Sequence, residues 1–244
     1  MRVERLSVTP VSGMHLNSLE SLELTRWGAA LDRRFYLIDD DGRVVDAVRR
    51  PVLTSVRATW DGRVLTLAFP DGTTVADEPQ LGEPIAADEK RFRRVPGRIV
   101  EGPFAALLES LAGRRVRLVQ VVGDRSAQAC FPVSILGSAS AADVLPESLG
   151  SARFRMLIEF SGGSAYVEEG WIGGRVRIGG AVIAVREGAR RCVLTTRDPD
   201  TGDRDFDTLR VLLGHRGSLV MGVYGEVEEP GTVCLGDRVE PIDR

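Results

Sequence analysis

VRATWDGRVLTL, at residues 56–67, places two short alternating segments on either side of Asp61-Gly62. An Asp-Gly pair between alternating apolar runs predicts a β-hairpin, because its backbone readily adopts the turn that joins two twisted strands. The same pattern surrounds Asp41-Gly42 and Asp71-Gly72. Short strands at such even spacing predict a small barrel or sandwich.

The sequence pattern in the remainder of the chain predicts further strands and a few short helices. Helices are expected at residues 104–113, 138–145 and 206–213, each with an apolar side. The polar residues 76–97 are expected to be a connection. Strands are expected at residues 116–122, 133–136, 154–160, 176–178, 181–185 and 192–196, with hairpin strands over 224–239. The chain is therefore predicted to be mainly β, with one unit at residues 1–95 and a second at 96–244.

Composition excludes several classes of chemistry. The chain has 244 residues, of which 43% are hydrophobic and 27% charged, and its formal net charge is −3. These values are typical of a soluble protein, so we expect neither a nucleic-acid nor a membrane partner. Lys90 is the only lysine and is not part of a Gly-Lys-Ser/Thr motif, which excludes a P-loop.

The histidines and cysteines narrow the chemistry further. Only two histidines occur, His15 and His215, and they lie far apart in sequence, which excludes a polyhistidine metal site and gives little support to a Ser-His-Asp triad. The three cysteines show no CxxC spacing, so a disulfide framework or a zinc ribbon is not expected. With no apolar signal core and no apolar run of membrane length, the sequence predicts a cytoplasmic protein.

RRCVLTTRDPDTG, at residues 190–202, places one cysteine among arginines, hydroxyl groups and a turn. Neighbouring guanidinium groups favour the thiolate, which attacks electrophiles and ligates soft metals. Asp198–Gly202 predicts a tight turn that holds this segment still. We therefore expect Cys192 to be functional, although a lone cysteine is more often a small buried apolar residue. Cys130 and Cys234 are expected to be inert.

Two groups of arginines have alternative interpretations. Asp32-Arg33-Arg34 is either an internal ion pair or a clamp for an anion. Arg153 and Arg155 share one face of a predicted strand at residues 153–157. That placement is too costly for a core unless an anion or carboxylates meet the two guanidinium groups.

These segments together resemble those of MOSC-domain proteins, a family related to the C-terminal domain of molybdenum-cofactor sulfurase and to the amidoxime-reducing component. The strongest match is RCVLTT followed by DPDTG, within residues 191–202. Further matches follow in order along nearly the whole chain, at residues 8–13, 28–35, 51–53, 138–140, 153–155, 168–171, 222–231 and 236–237.

The resemblance implies a MOSC β-barrel domain at residues 96–244, preceded by an N-terminal β-barrel-like domain at 1–95, with a cleft for the molybdenum cofactor (molybdopterin). In the reductase branch of the family, the matching cysteine ligates molybdenum, whose other sulfur ligands come from a pterin dithiolene. A thiolate suits an oxo-metal centre, and arginine forks suit the pterin phosphate. By position, Cys192 becomes the catalytic metal ligand, and cofactor contacts fall on Ser12, Arg33, Arg155, Arg191, Thr195 and Thr196.

Two positions depart from the family pattern. Ser12 stands where the family often has a lysine, which removes one cationic contact. Met156-Leu157 follows Arg155, where the amidoxime-reducing branch has Pro-Asn. A polar cofactor contact is thereby lost, so substrates are not carried over from that branch on the sequence alone.

Three functions are compatible with these residues. The first is a molybdenum-cofactor-binding oxidoreductase that reduces N-oxygenated or similar oxo-acceptor small molecules. The chain has neither a flavin motif nor a set of iron–sulfur cysteines, so this function requires a separate electron-donor protein, a reductase. The second is a sulfur carrier or sulfurtransferase that uses a persulfide on Cys192. The third is a cofactor-binding module without turnover.

Overall fold

Strands dominate the computed structural model, which describes residues 1–88, 94–127 and 130–242. Lys90 lies outside the described residues. The α helices are α1 (Phe104–Ala112), α2 (Ser138–Val144) and α3 (Thr208–Arg216). The strands are β1 (Arg2–Val8), β2 (Asn17–Leu19), β3 (Ser21–Thr25), β4 (Gly28–Ala29), β5 (Phe35–Ile38), β6 (Val44–Val45), β7 (Arg57–Trp60), β8 (Leu65–Ala68), β9 (Thr74–Asp77), β10 (Gln80–Asp88), β11 (Arg94–Glu101), β12 (Arg117–Val121), β13 (Val133–Gly137), β14 (Ile158–Ser161), β15 (Arg175–Ile178), β16 (Ala181–Arg190), β17 (Val220–Glu229), β18 (Gly231–Cys234) and β19 (Val239–Ile242).

The three Asp-Gly hairpins are present as the sequence predicts. β5 pairs with β6, β7 with β8 and β8 with β9, all antiparallel. In the turn between β7 and β8, the carboxylate of Asp61 accepts hydrogen bonds from the backbone N–H groups of Arg63 at 2.8 Å and Val64 at 2.7 Å. Local chemistry therefore determines these turns.

The strand predicted at residues 192–196 is wrong, and the one predicted at 154–160 is present only from Ile158, because tighter local conformations replace the extended chain. Residues 193–196 form a 3₁₀ helix in which the hydroxyls of Thr195 and Thr196 donate to the carbonyls three residues earlier, at 2.9 and 2.7 Å. Such side-chain bonds to the backbone compete with sheet pairing. Residues 151–154 form another 3₁₀ helix, and Arg155 then has a φ of 54°, so the extended chain begins only at Ile158.

Three other expectations also require correction. The expected connection at residues 76–97 holds β10 and the first part of β11, and the mostly exposed side chains of residues 80–86 conceal the apolar signal of β10. The third helix begins at Thr208 because the Asp207 carboxylate caps it, accepting from the N–H of Arg210 at 3.2 Å. The strands over 224–239 are not hairpins with one another, because β17 pairs with β13 and β16, β18 with β3, and β19 with β15.

The strands of the described residues form four sheets. The largest has eight strands in the order β19-β15-β16-β17-β13-β14-β1-β2, and only its β13–β14 pair is parallel. A second sheet runs β10-β11-β12-β5-β6, and two three-stranded sheets run β18-β3-β4 and β7-β8-β9. The mainly β fold class is confirmed, with sheets that stay open where closed barrels were expected.

Strand pairing crosses the boundary that the sequence predicts at residue 95. β1 and β2 belong to the eight-stranded sheet, and β12 belongs to the same sheet as β5. The division into residues 1–95 and 96–244 stays a prediction. No helix among the described residues is long and apolar enough to cross a membrane.

Separate apolar cores support the sheets. The first lies on the eight-stranded sheet, and the second lies between α1, β5 and the β7–β8 hairpin. A third core packs α2 and α3 against the segment that contains Phe154 and Met156. This third core supports one side of the pocket described below.

Truncation of the buried Leu108 on α1 tests the second core. Leu108→Ala is expected to lower the free energy of unfolding by about 2–5 kcal/mol, because it removes buried methyl groups and leaves a cavity. Ser110→Ala, on the exposed side of the same helix, is the matched control and should change it by less than about 0.5 kcal/mol. Urea denaturation measures both, and equal effects would contradict this packing.

Candidate functional site

One pocket of about 210 Å³ contains most of the residues that the sequence singled out. It lies where the start of β13, the end of β16 and the middle of β17 meet the loops after β1, before β5 and after β6. Of the predicted site residues, it is lined by Ser12, Arg33, Arg155, Arg191, Cys192 and Thr195. We call it the Cys192 pocket.

Cys192 occupies a rigid position on the pocket wall. β16 ends at Arg190, and Cys192 keeps an extended backbone directly before the 3₁₀ helix at Val193–Thr196. The Cys192 carbonyl accepts from the backbone N–H of Thr195 at 3.1 Å and from the Thr195 hydroxyl at 2.9 Å. The residue itself is exposed, so a fixed backbone presents the thiol to the pocket.

Arg33 and Arg155 share an unusual backbone conformation. Their φ angles are 47° and 54°, in the left-handed region that non-glycine residues rarely occupy. Each such residue costs on the order of 1–2 kcal/mol relative to a right-handed conformation. Strain at two cationic residues of one pocket is typical of a functional site.

The Arg155 guanidinium group is buried and incompletely hydrogen-bonded. Its Nη2 donates to the Met14 carbonyl, whereas Nη1 is buried without a hydrogen-bond partner among the described residues. Burial first and Arg33 second lower the pKa of Arg155 to about 10, while Asp32 and Cys192 oppose this shift. Arg155 therefore stays charged at neutral pH, and an anion in the pocket would satisfy its unpaired nitrogen.

Arg33 combines the two roles that the sequence left open. Its guanidinium group pairs with the fully buried Asp32, whose other carboxylate oxygen accepts from the backbone N–H of Thr9 at 2.9 Å. The side chain is also 21% exposed and lines the Cys192 pocket. Arg34 takes no part in the pocket, because it donates to two loop carbonyls at 2.6 and 2.7 Å.

Arg191 is occupied by acceptors of the protein itself. The buried guanidinium group donates to the carbonyls of Ala189 and Phe154, each at 2.9 Å, and to the Tyr224 hydroxyl at 3.0 Å. A further contact of 3.1 Å reaches the Met156 sulfur. The expected role as an anion ligand therefore has little support, since Arg191 instead connects three segments of the wall.

Arg153 lines the same pocket as Arg155, but a carboxylate already pairs with it, which is one of the two conditions that the sequence set for such a placement. Its side chain is 2% exposed and forms a two-pronged ion pair with Asp205 at 2.8 and 3.1 Å. A third bond of 3.3 Å reaches the Thr195 carbonyl. Acceptors of the protein itself therefore hold the Arg153 guanidinium group, so Arg153 is structural.

The three hydroxyl residues that were predicted to contact the cofactor differ in their positions. The Thr195 hydroxyl lines the pocket but already donates its proton to the Cys192 carbonyl, so it cannot also donate to an anion. Thr196 is 1% exposed and is not part of the pocket lining. Ser12 lines the pocket and is half-buried.

Three lining residues, Tyr224, Cys130 and Asp46, carry no signal in the sequence that marks them as part of a site. Tyr224 lies beside Arg191, and burial is the main cause that raises the pKa of its hydroxyl. Cys130, expected to be inert, is exposed on the pocket wall, and Asp46 and Arg190 also line the pocket. Pairing of β13 with β17 brings Tyr224 opposite Ser134, close to Cys130, and no local pattern reports that pairing.

The described side chains alone do not make a metal centre, since they contain no cluster of three or more histidine, cysteine, aspartate or glutamate residues suited to one. Cys192 could supply one ligand, and the rest would have to come with a cofactor.

Two family models match most of the chain. The family model described as MOSC N-terminal beta barrel domain matches residues 1–97, and the one described as MOSC domain matches residues 122–240. The chain is a MOSC-domain protein.

Relatives of this MOSC protein carry a functional name. Mitochondrial amidoxime-reducing component 1 of Mus musculus is 27% identical over 277 residues, which span 97% of this chain and 81% of the relative. Its counterpart from Homo sapiens is 28% identical over 285 residues, which span 97% of this chain and 82% of the relative. Among solved structures, the YUAD protein from Bacillus subtilis covers 98% of this chain and 94% of its own with 11% identity and a TM-score of 0.47, too low to carry an argument.

The turn after Cys192 connects the MOSC motif to the N-terminal half. Asp198 accepts from the backbone N–H groups of Asp200 and Thr201 at 2.8 and 2.9 Å, as the predicted tight turn requires. Asp200 contacts the His15 imidazole at 3.1 Å. Gly202 has a φ of 80°, and a Cβ there would lie 2.3 Å from the Pro51 carbonyl oxygen.

Substitution of Gly202 tests this contact. Gly202→Ala is expected to lower the free energy of unfolding by more than about 1 kcal/mol, because both φ and the Pro51 carbonyl oppose a Cβ. Gly214→Ala is the control, since its added Cβ meets no atom within 4 Å and alanine favours the helix by about 1 kcal/mol. Thermal unfolding compares them, and a neutral Gly202→Ala would refute the contact.

Removal of the Asp205 charge tests the Arg153 ion pair. Asp205→Asn should lower the free energy of unfolding by about 1–3 kcal/mol, because a buried guanidinium group loses its counter-charge. The hydrogen bond from Arg153 lowers the pKa of Asp205, so the stabilisation is present above the ordinary carboxylate pKa and is lost as pH falls through the folded-state pKa.

Urea denaturation across the acidic range measures this difference, with Asp203→Asn as an exposed control. The stability gap between the native protein and Asp205→Asn should narrow as pH falls. A constant gap would show that the ion pair contributes nothing that depends on protonation.

Proposed function

We propose that this MOSC protein is a molybdenum-cofactor-dependent reductase of N-oxygenated small molecules, with Cys192 as the metal ligand. The observation that carries the proposal is that an exposed thiol shares one pocket with Arg155, whose buried Nη1 has no partner in the described part of the chain. The relatives are named as amidoxime-reducing components, which supports reduction of an N-oxygenated group as the reaction class.

The residues of the pocket fit an anionic cofactor with a sulfur-bound metal. Arg155 and Arg33 would hold its anionic groups, with Nη1 of Arg155 making the first contact. Cys192 would donate its thiolate to the metal. When bound, the cofactor would supply a two-electron redox centre for the reduction of an N–O group.

Other residues position the pocket and hold a proton. Arg191 donates from Nη2 to the Tyr224 hydroxyl, which leaves the hydroxyl proton directed to another acceptor. Because burial raises its pKa, Tyr224 keeps this proton at neutral pH. Tyr224 Oη is therefore the proton donor that we assign to the pocket, where reduction of an N–O bond consumes protons.

Electrons must come from a partner. The sequence lacks a flavin motif and a cluster-binding set of cysteines, so a separate reductase would deliver them. The relatives are named as components, which supports a multi-protein system.

A sulfur-transfer function is the second candidate, and Cys130 favours it. This cysteine lines the same pocket as Cys192. Its thiolate could attack a persulfide on Cys192, take the outer sulfur and release the Cys192 thiolate. No net oxidant or reductant is needed for that exchange.

Metal measurement on the protein from a molybdenum-replete host tests the proposal. The native chain should carry about one molybdenum, and Cys192→Ser should lose the metal together with amidoxime reduction, because the thiolate ligand is absent. Arg155→Gln should retain less pterin, since one cationic contact is removed. Cys234→Ser, in a strand outside the pocket, should resemble the native chain.

Two other results of the metal measurement would each favour a different function. Full molybdenum content in Cys192→Ser would overturn the ligand assignment and leave a module that binds through the pterin. Cyanide-releasable sulfur on Cys192 in metal-free protein would favour sulfur transfer.

A further inference from the structure

A second pocket adjoins the Cys192 pocket through a shared wall. Cys130, Phe131 and Pro132 line both pockets. The second pocket has a volume of about 270 Å³, and its other lining residues include Arg26, Trp27, Arg125 and Glu226. We call it the Trp27 pocket. Its volume is close to the lower end of the roughly 300–1,000 Å³ of small-molecule sites, which suits a single substituted ring.

Aromatic side chains mark this pocket as a binding surface. Trp27 is 40% exposed, although indole is among the side chains with the most to gain from burial. The Arg125 guanidinium carbon lies 4.5 Å from the Trp27 ring centroid. Phe131 stacks on Tyr224 of the Cys192 pocket, with 6.1 Å between ring centroids. A flat ligand would thus meet a rigid wall that continues to the proposed proton donor.

The two arginines that line the Trp27 pocket favour an anionic ligand. Neither Arg26 nor Arg125 forms a side-chain ion pair within residues 1–88, 94–127 and 130–242, in contrast to Arg186, which pairs with Glu226 at 2.9 Å. Glu226, a carboxylate that lines the pocket, is therefore already neutralised. Two guanidinium groups remain to bind a carboxylate, for which their planar forks are well suited.

We propose that the Trp27 pocket binds the carboxylate-bearing aromatic end of a substrate whose N-oxygenated group reacts in the Cys192 pocket. The part of this proposal that concerns the reacting N-oxygenated group rests on the proposed reductase function, whereas binding of the aromatic carboxylate does not. The ring would pack against Trp27, and Arg26 and Arg125 would hold the carboxylate. Substrates with a neutral or cationic end would lose this contact.

Direct binding tests the pocket without any turnover. The purified full chain is titrated with benzoate, benzamide and benzamidine while tryptophan fluorescence is recorded. Benzoate should quench the emission and bind at least tenfold more tightly than the other two probes. Trp27→Phe should remove the quenching, and the double variant Arg26→Gln/Arg125→Gln should weaken benzoate binding at least tenfold. Arg177→Gln, an exposed arginine outside both pockets, is the matched control.

Kinetics test the role in substrate selection. With the molybdenum-loaded protein and a chemical electron donor, 4-carboxybenzamidoxime should show a KM at least tenfold below that of benzamidoxime. In the double arginine variant, the ratio of the two KM values should fall to about one, because the carboxylate contact is lost. Arg177→Gln should keep the native ratio.

The outcomes separate this proposal from the proposed function. Benzoate binding without reduction of either amidoxime would overturn the reductase function and leave an anion-binding pocket. Reduction of both amidoximes with equal KM values, and no quenching by benzoate, would overturn the Trp27 subsite and leave the reductase function intact. Equal affinity for benzoate and benzamide would overturn the selection for an anion.

Discussion

The buried Arg191 guanidinium group holds together the segments that form the Cys192 pocket. An arginine does not lose its charge in a protein, so a buried guanidinium group must find acceptors. Arg191 finds them in the carbonyls of Ala189 and Phe154 and the hydroxyl of Tyr224. Three distant parts of the chain therefore have to meet beside Cys192, and the thiol acquires a fixed position relative to Tyr224 and Arg155.

Three other arginines of the pocket differ in whether a carboxylate pairs with them, and this difference gives the pocket its chemistry. Arg153 has Asp205, and Arg33 has Asp32. Arg155, held in a left-handed conformation, keeps one buried nitrogen to which residues 1–88, 94–127 and 130–242 offer no acceptor. A pocket that combines this nitrogen with an exposed thiol suits an anionic, sulfur-ligated cofactor better than a metal held by protein ligands alone.

Local patterns predicted the parts of the fold that local chemistry controls. The Asp-Gly hairpins and the helix that ends at Gly113 follow from turn and capping preferences, and both are present. The strands expected around Arg155 and Cys192 are wrong, because alternation cannot reveal a left-handed residue or threonine hydroxyls that bond to the backbone.

The sequence by itself determined the mainly β class, the family and the importance of Cys192, since hairpin turns and a short motif are local properties. Only the tertiary structure decided which cations are available, because Asp205 lies 52 positions from Arg153 and Tyr224 lies 33 positions from Arg191. It also decided that Cys130 lies in the same pocket and that Trp27 opens onto its wall. A charged side chain is free to bind a ligand, or is used to stabilise the fold, according to which acceptors the folded chain places beside it.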